Sequence, residues 1–418
     1  MKKCKVKPFA LFLVIFTLLF LILFPSWFKE KSQSPPEDPF QVEKPKWTGV
    51  ITLWDIPYVR AGKGSYLGWL SSYISSFEKK YPGVFIDVRS LSSERLAMYL
   101  HGDTGRDVLP DLISLGIYDQ LLPENDLVDL SSYFSEEDRT ALNKLALQRV
   151  QSGSRLIGIP WMMGSYGFYI NLDALQDTEL TEADGSLSYY DLNAIVNKAA
   201  HQKKIGRRTI DYYGFCTYTG FHSKPLLGMI YKEGVKIKDN ASYLQLHEWM
   251  SGELRITPEH MISMTYVNAF RLFGSEKRSA VLLGDSKVLF DLRNLEEAGK
   301  GVDFKFFPLP MQDETAYYID QIAAYSLLQQ DNESKKELCI SFLKGLLQED
   351  VQRSLSDIGM FSTCLGLDLY SEDNEMKQME KSLNHMNTGP FGANAALAEY
   401  LWSDLSSEGP SIESNGLD

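Results

Sequence analysis

Apolar positions along this chain follow two alternating patterns. Short, nearly continuous β-branched runs are separated by longer stretches with helical spacing. GVITLW (Gly49–Trp54) is fully apolar and predicts a buried strand. After a Gly-rich turn, Tyr66, Leu70, Tyr73, Phe77 and Tyr81 recur every three or four residues, the stripe of an amphipathic helix. Pro82-Gly83 ends it. VFIDV (84–88) predicts a second strand, a short helix is expected over about 93–101, and PDLISL (110–115) predicts a third strand. Strand, helix and strand at this spacing predict βαβ units and a parallel sheet. Further strands are expected at SYGFYIN (165–171), SAVLLG (279–284) and VDFKFF (302–307). Leu192, Ile195, Val196 and Ala199 form one more helical stripe, and Cys339, Phe342, Leu343 and Leu346 another. There is no repeat at a fixed period. The last residues, SSEGPSIESNGLD, read as a frayed tail.

The first thirty residues break this pattern. Lys2, Lys3, Lys5 and Lys7 precede an apolar run from Phe9 to Phe24, interrupted only by Thr17. Extended to Phe28, the segment would span roughly 30 Å as a helix, the thickness of a bilayer core. The basic flank places its start in the cytoplasm and everything after it outside. Pro25-Ser26-Trp27-Phe28-Lys29 offers no pair of small residues for cleavage, and Cys4 lies on the wrong side for lipidation. Residues 1–28 are therefore read as a retained transmembrane anchor helix, the alternative being a signal peptide cut near Ser34. Residues 29–46, with Pro35, Pro36, Pro39 and Pro45 among many charges, read as a semi-rigid linker.

Composition narrows the function. The 418 residues carry 42 Lys and Arg against 55 Asp and Glu, a net charge of −13. Without residues 1–33 the balance is 36 against 54, or −18, which excludes nucleic acid as the expected partner. An apolar fraction of 44% and a charged fraction of 23% exclude a disordered, collagenous or polytopic membrane chain. Cys216, Cys339 and Cys364 make no disulfide framework. They read as free thiols, with a Cys339–Cys364 bridge as the alternative. Structural zinc is not expected, because there is neither a CxxC motif nor a Cys/His cluster. HEWMS at His247 lacks the second His of a zincin, having Ser251 there, and AGKGS (61–65) lacks the first Gly of a phosphate loop. No GxSxG elbow is present. Glu372-Asp373-Asn374-Glu375 reads as a solvated face.

Seven segments in order carry a resemblance. They are Trp54 ending the first strand, FEKKYPGVFIDV (77–88), PDLISL (110–115), IPWMMGSYGFYIN (159–171), AFRLFGSEKRSAVLLGDSK (269–287), FFPLP (306–310) and IGMFS (358–362). Over about residues 47–400 the chain resembles the family 1 extracellular solute-binding proteins, the sugar-binding, maltose-binding-protein-like group of ABC importers. The alignment runs out after AALAEYLWSDL, before that family's usual final helix.

The resemblance implies an α/β, two-lobed periplasmic-binding-protein-like fold with hinge strands. Residues 47–164 and 308–355 would form lobe 1, and residues 165–307 and 356–418 lobe 2. It implies a monomer that catalyses no reaction, uses no cofactor, captures a carbohydrate or other polar solute between the lobes, and delivers it to ABC permease subunits. Sugars want aromatic faces for their C–H surfaces and planar polar partners for their hydroxyls. Residue by residue, the alignment offers Trp54, Asp55, Tyr58, Tyr118, Trp161, Met163, Tyr166, Phe221, Asp285, Lys287 and Phe391 as ligand contacts. Trp69, Phe77, Trp249 and Trp402 read as core. Lys287 replaces the family's common aromatic; it is either a solvated lysine or an ammonium for an acidic ligand such as a uronate or sugar phosphate. The competing functions are a ligand sensor for a signalling receptor, an extracellular carbohydrate-active enzyme and an adhesin.

Overall fold

A computed structural model of the chain describes residues 45–57, 59–92, 95–96, 98–99, 109–115, 124–175, 187, 189–218, 264–309, 316–317 and 321–387. The expected anchor, nearly all of the linker, the tail, and candidates Tyr58, Tyr118, Phe221 and Phe391 lie outside these residues. Among the described residues no helix is long and apolar enough to cross a membrane.

The strands are β1 (Gly49–Asp55), β2 (Val84–Ser90), β3 (Leu112–Ser114), β4 (Gln151–Ser152), β5 (Arg155–Leu156), β6 (Ile159–Met163) and β7 (Tyr166–Asn171). Then come β8 (His201–Ile205), β9 (Arg208–Cys216), β10 (Ser279–Asp285), β11 (Phe304–Pro308), β12 (Ala316–Tyr317), β13 (Ile322–Leu327) and β14 (Met386–Asn387). Two five-stranded sheets result, in the orders β2-β1-β3-β13-β6 and β11-β7-β10-β9-β8.

In the first sheet β1 runs parallel to β2 and β3, as the βαβ spacing predicts. The parallel character stops there, because β13 is antiparallel to both β3 and β6. The second sheet is mixed: β7 is antiparallel to β10 and β11, while β10 is parallel to β9. The helix Tyr66–Lys80 seats Trp69, Leu70, Ile74 and Phe77 on the first sheet, so the buried stripe is rotated slightly from the Tyr-rich one read in the sequence. Its tyrosines at 66 and 73 are only partly buried and send their hydroxyls to Asp55 and to the Phe342 carbonyl. Amphipathic tyrosines sit at such rims because one end is apolar and the other polar.

Two separate apolar cores follow the two sheets. One gathers Ile51, Leu53, Trp69, Leu112, Trp161, Leu327 and Phe342. The other gathers Phe168, Ile170, Val196, Phe215, Val281, Leu283 and Met379. Leu145 and Ala146 of the helix Lys144–Arg149, ahead of the crossings, also pack into the second core; membership then changes between Met162 and Met163, between Ile322 and Ala324, and between Met360 and Phe361. The chain therefore passes between the lobes three times. The crossings are laced together. Met163 and Phe361 exchange backbone N–H···O bonds at 2.9 Å each, and Gly164 N donates to the Gln321 carbonyl at 2.8 Å. Buried side chains complete the lacing: Gln321 Nε2 donates to the Tyr166 hydroxyl (3.0 Å), and the Tyr370 hydroxyl donates to the Met360 carbonyl (2.8 Å). All three outer cysteines are free thiols, Cys216 and Cys339 buried and Cys364 partly so, which decides against the disulfide alternative. Burial pushes the Cys216 thiol up to about 12.

The second core sets a tight limit at Gly214, where a Cβ would lie 2.0 Å from the Val196 carbonyl oxygen. Backbone cannot move aside as a side chain can. Gly214→Ala is expected to lift the helix Tyr189–Ala199 from β9 and cost about 1–3 kcal/mol. An unchanged melting temperature would show that the helix is not seated there.

Candidate functional site

The carboxyl end of β1 faces the second lobe, and ligands of α/β sheets sit beyond such strand ends. The connection from Ile56 to Ser65 runs beside the segment Ile358–Gly359, and the start of the helix Ser286–Glu297 of the second lobe is tied to the same segment. Lys63 N donates to the Ile358 carbonyl at 3.1 Å. Ser286 Oγ donates to the Gly359 carbonyl at 3.0 Å. A Cβ at Gly62 would fall 2.7 Å from both the Gly359 carbonyl oxygen and Ser286 Oγ, so only glycine allows this approach. Ser65 then caps the helix Tyr66–Lys80 by accepting from Gly68 N.

Between the lobes lies a cavity of about 650 Å³. The first lobe lines it with Pro57, Arg60, Lys63, Tyr66 and Leu67, and the second with Lys287, Phe290, Asp291 and Asn294. This volume lies within the usual range of small-molecule pockets. The lining mixes a ring face, short apolar surface and charged hydrogen-bonding groups, the two kinds of surface a polar solute with C–H faces requires.

Arg60 and Asp285 close one wall. Arg60 Nη2 lies 2.9 Å from each carboxylate oxygen, and Nε donates to Oδ2 at 3.2 Å. Arg60 also donates to the Tyr218 hydroxyl at 3.2 Å and stacks 3.8 Å above the Tyr266 ring. Asp285 is buried. Its Oδ1 accepts from Lys287 N as the N-cap of the helix, and its carbonyl accepts from the Tyr169 hydroxyl. Partial burial works against the Arg60 charge, and the Asp285 carboxylate more than offsets it, so the guanidinium pKa rises further. Tyr266 in turn hydrogen-bonds Asp291, which also holds Lys287 Nζ at 2.8 Å.

A second polar centre lies behind the cavity. Asp55 is buried, and its Oδ1 accepts from the hydroxyls of Tyr325 (2.7 Å), Tyr66 (2.8 Å) and Ser114 (3.3 Å). Burial raises the Asp55 pKa above its ordinary 3.8, while these hydroxyls pull it back only in part. Trp161 is stacked in the same place between Trp69 (5.2 Å) and Tyr325 (5.4 Å). Among the described residues, Asp55 Oδ2 and Trp161 Nε1 have no hydrogen-bond partner. A gap of about 10 Å³ beside them, lined by Tyr66, Ser114, Trp161 and Tyr325, has room for about one water molecule.

Of the described residues picked out from the sequence, Lys287 lines the large cavity and Asp285 braces its wall. Trp54 is buried, with its ring 5.4 Å from Tyr99. Asp55 and Trp161 sit in the buried centre behind the cavity, and Met163 and Tyr166 are buried at the first crossing. The sequence reading missed Arg60, Lys63, Phe290 and Asp291. The Gly-rich AGKGS segment after a predicted strand end was the available signal for the first two. Asp291 and Phe290 follow from Lys287 by helical spacing. Among the described residues no three His, Cys, Asp or Glu side chains are grouped to hold a metal ion.

No family model and no curated protein matches this sequence. Solved structures do match its fold. The maltose-bound MalE3 protein of T. maritima is 17% identical, with a TM-score of 0.61 over 85% of this chain and 94% of its own. The ABC substrate-binding protein Lmo0181 of Listeria monocytogenes, in complex with cycloalternan, is 15% identical, with a TM-score of 0.61 over 86% and 93%. An ABC transporter solute-binding protein of Thermotoga lettingae bound to α-D-tagatose is 14% identical, with a TM-score of 0.60 over 86% and 94%. The chain thus has the two-lobed α/β fold of the solute-binding proteins of ABC transporters, as the resemblance in its sequence implies. These identities speak to fold.

Two measurements check this geometry. Arg60→Ala leaves Asp285 buried without its cation, a loss of about 3–5 kcal/mol for a fully buried pair and toward the lower end here, since the Arg60 side chain is 28% exposed. The unliganded variant is expected to open, with a larger radius of gyration in solution scattering than the parent chain; identical profiles would mean the pair does not clasp the lobes. Asp55→Asn tests the buried carboxyl. The folded state holds the Asp55 proton to higher pH than the unfolded state, so this group costs stability as pH rises above 3.8. The melting temperature of Asp55→Asn relative to the parent should therefore increase from acid to neutral pH, and a constant difference would contradict the raised pKa.

Proposed function

We propose that this chain is the extracellular solute-binding protein of an ABC importer. It captures a carbohydrate or related polar solute between its lobes and delivers it to the permease subunits. The cavity of about 650 Å³ between two lobes joined by three laced crossings carries this reading. Such crossings act as hinges, and a ligand closes them only so far as it binds the closed form better. Lys287 from the second lobe and Tyr66 and Lys63 from the first are positioned to meet the solute, with Phe290 offering a ring face. Trp54, Asp55, Trp161, Met163, Tyr166 and Asp285 shape the cleft from behind, and Tyr58, Tyr118, Phe221 and Phe391 belong to the same reading as sequence-derived contacts. The lobe limits at 164/165, 307/308 and 355/356 belong to it too.

Binding rather than turnover is favoured by the cavity's chemistry. Among the described residues Asp291 is the one carboxylate lining it, whereas glycoside hydrolysis uses a flanking pair. Membrane attachment through residues 1–28 would keep the protein close to its permease and raise its local concentration there. The chain acts as a monomer and uses no cofactor.

The full chain in detergent, screened against maltodextrins, other neutral oligosaccharides, acidic sugars and peptides, tests the reading by thermal shift. A solute at 100 times its dissociation constant adds about 2.7 kcal/mol to stability. A sugar class that raises the melting temperature, and does so less in Lys287→Ala, is the expected result. A screen in which peptides shift the protein and sugars do not would overturn it.

A further inference from the structure

The chain is acidic, yet it carries one compact basic projection. Strands β8 and β9 form a hairpin at the edge of the second sheet, and among the described residues β8 pairs with β9 alone. Every residue of β8 is exposed, as are Gly206, Arg207, Arg208 and Thr209. The pairing of β9 with β10 begins at Tyr213, so residues 201–212 reach past the sheet as a two-stranded ribbon. Its base is stiffened by His201 stacked on Tyr212 (4.7 Å, 5° between planes) and by Gln202 Nε2 donating to Asp211 at 2.8 Å. At the tip, Lys203, Lys204, Arg207 and Arg208 place four cations within six residues. Among the described residues none of the four has a carboxylate in ion-pair range. Between them Ile205 is 50% exposed, one of eight large apolar side chains so exposed among the described residues. Gly206 turns at φ +64° in open space.

Lysines on an edge strand prevent edge-to-edge pairing, which accounts for Lys203 and Lys204. It does not account for Arg207 and Arg208, which lie in the turn and on β9, nor for an exposed isoleucine at the apex. Clustered cations around one apolar side chain match a surface that offers negative charge above hydrocarbon.

We propose that the tip Lys203–Arg208 docks on an anionic lipid surface and sets how the two lobes stand over the membrane. The inference rests on the anchored reading given above. The linker of residues 29–46, at ~3.1 Å per residue when extended, allows a reach of roughly 55 Å between anchor and domain, so the anchor does not by itself fix which face meets the bilayer. The rest of the outer chain is strongly acidic and repelled by the same surface, so attraction at the tip and repulsion elsewhere favour one orientation.

The test uses the full chain in lipid nanodiscs of phosphatidylcholine alone or with phosphatidylglycerol, read by amide hydrogen exchange. Amides of Lys203–Arg208 are expected to exchange roughly tenfold more slowly on the anionic discs, and the difference should vanish in high salt. It should also vanish in the variant Lys203→Gln, Lys204→Gln, Arg207→Gln, Arg208→Gln, with the amides of β10 unchanged as a check on folding. Ile205→Ser should weaken the effect on discs. Equal exchange on both lipids would overturn the proposal. So would slowing that soluble polyglutamate reproduces and Ile205→Ser leaves intact, a result that points to an acidic protein partner. Retention of the chain on both disc types with an unchanged hairpin would overturn this inference and leave the anchored reading standing. A chain retained on neither would overturn both.

Discussion

One buried carboxylate organises the space between the lobes. Asp285 ends β10, caps the helix that follows, receives Tyr169 on its carbonyl and holds Arg60 from the opposite lobe. A charge in so dry a place is stable only with its partners complete. The helix start, the strand end and the loop after β1 are therefore fixed relative to one another. The large cavity exists because this wall is pinned while the helix beyond it, carrying Lys287 and Asp291, runs away from the contact.

The three crossings supply the complementary constraint. They hold the lobes through backbone bonds between Met163 and Phe361 and between Gly164 and Gln321, close to the boundary of both cores. Most of each core lies on its own side of that boundary, while Leu145, Ala146, Met163 and Ile322 reach from the first lobe into the second core, so relative motion of the lobes bends the ribbon and must also shift these contacts. The Arg60 pair lies on the cavity wall beside the segment Ile358–Gly359 that leads into the third crossing. A solute entering the cavity competes with or adds to that contact, and the balance decides how closed the protein is when empty.

Much of the fold was legible in the sequence because burial leaves period. β1, β2, β7 and β10, with Ile51, Leu53, Phe168, Ile170 and Val281 inside, were evident as continuous apolar runs. The helices carrying Phe77, Val196 and Phe342 were evident from their stripes. What escaped was set by tertiary structure. HQKKI of β8 has no apolar face because neither side is covered. β13 was not picked out, and its antiparallel place between β3 and β6 depends on a crossing that no local pattern announces. In the site, Lys287 was found by its departure from the family pattern. Arg60 was missed because its role comes from Asp285, 225 positions away. Trp161 and Asp55 were candidates through the resemblance, and the structure buries both behind the cavity.

The position of β13 also bears on how the protein is made. It lies inside the first sheet, between β3 and β6, yet the chain reaches it only after the β7–β11 part of the second lobe has been strung between β6 and itself. Ser114 pairs with Tyr325 across roughly 200 intervening residues, a loop whose closure is slow as well as entropically costly. The first lobe must wait as an open three-stranded fragment, with the inner edge of β3 unpaired, until nearly the entire chain has emerged. During that wait the exposed edge is open to pairing with other chains. The second lobe is no more contiguous: Met376 and Met379 of the helix Asn374–Ser382, which packs on β11, come after β13, so both lobes are completed late in the chain.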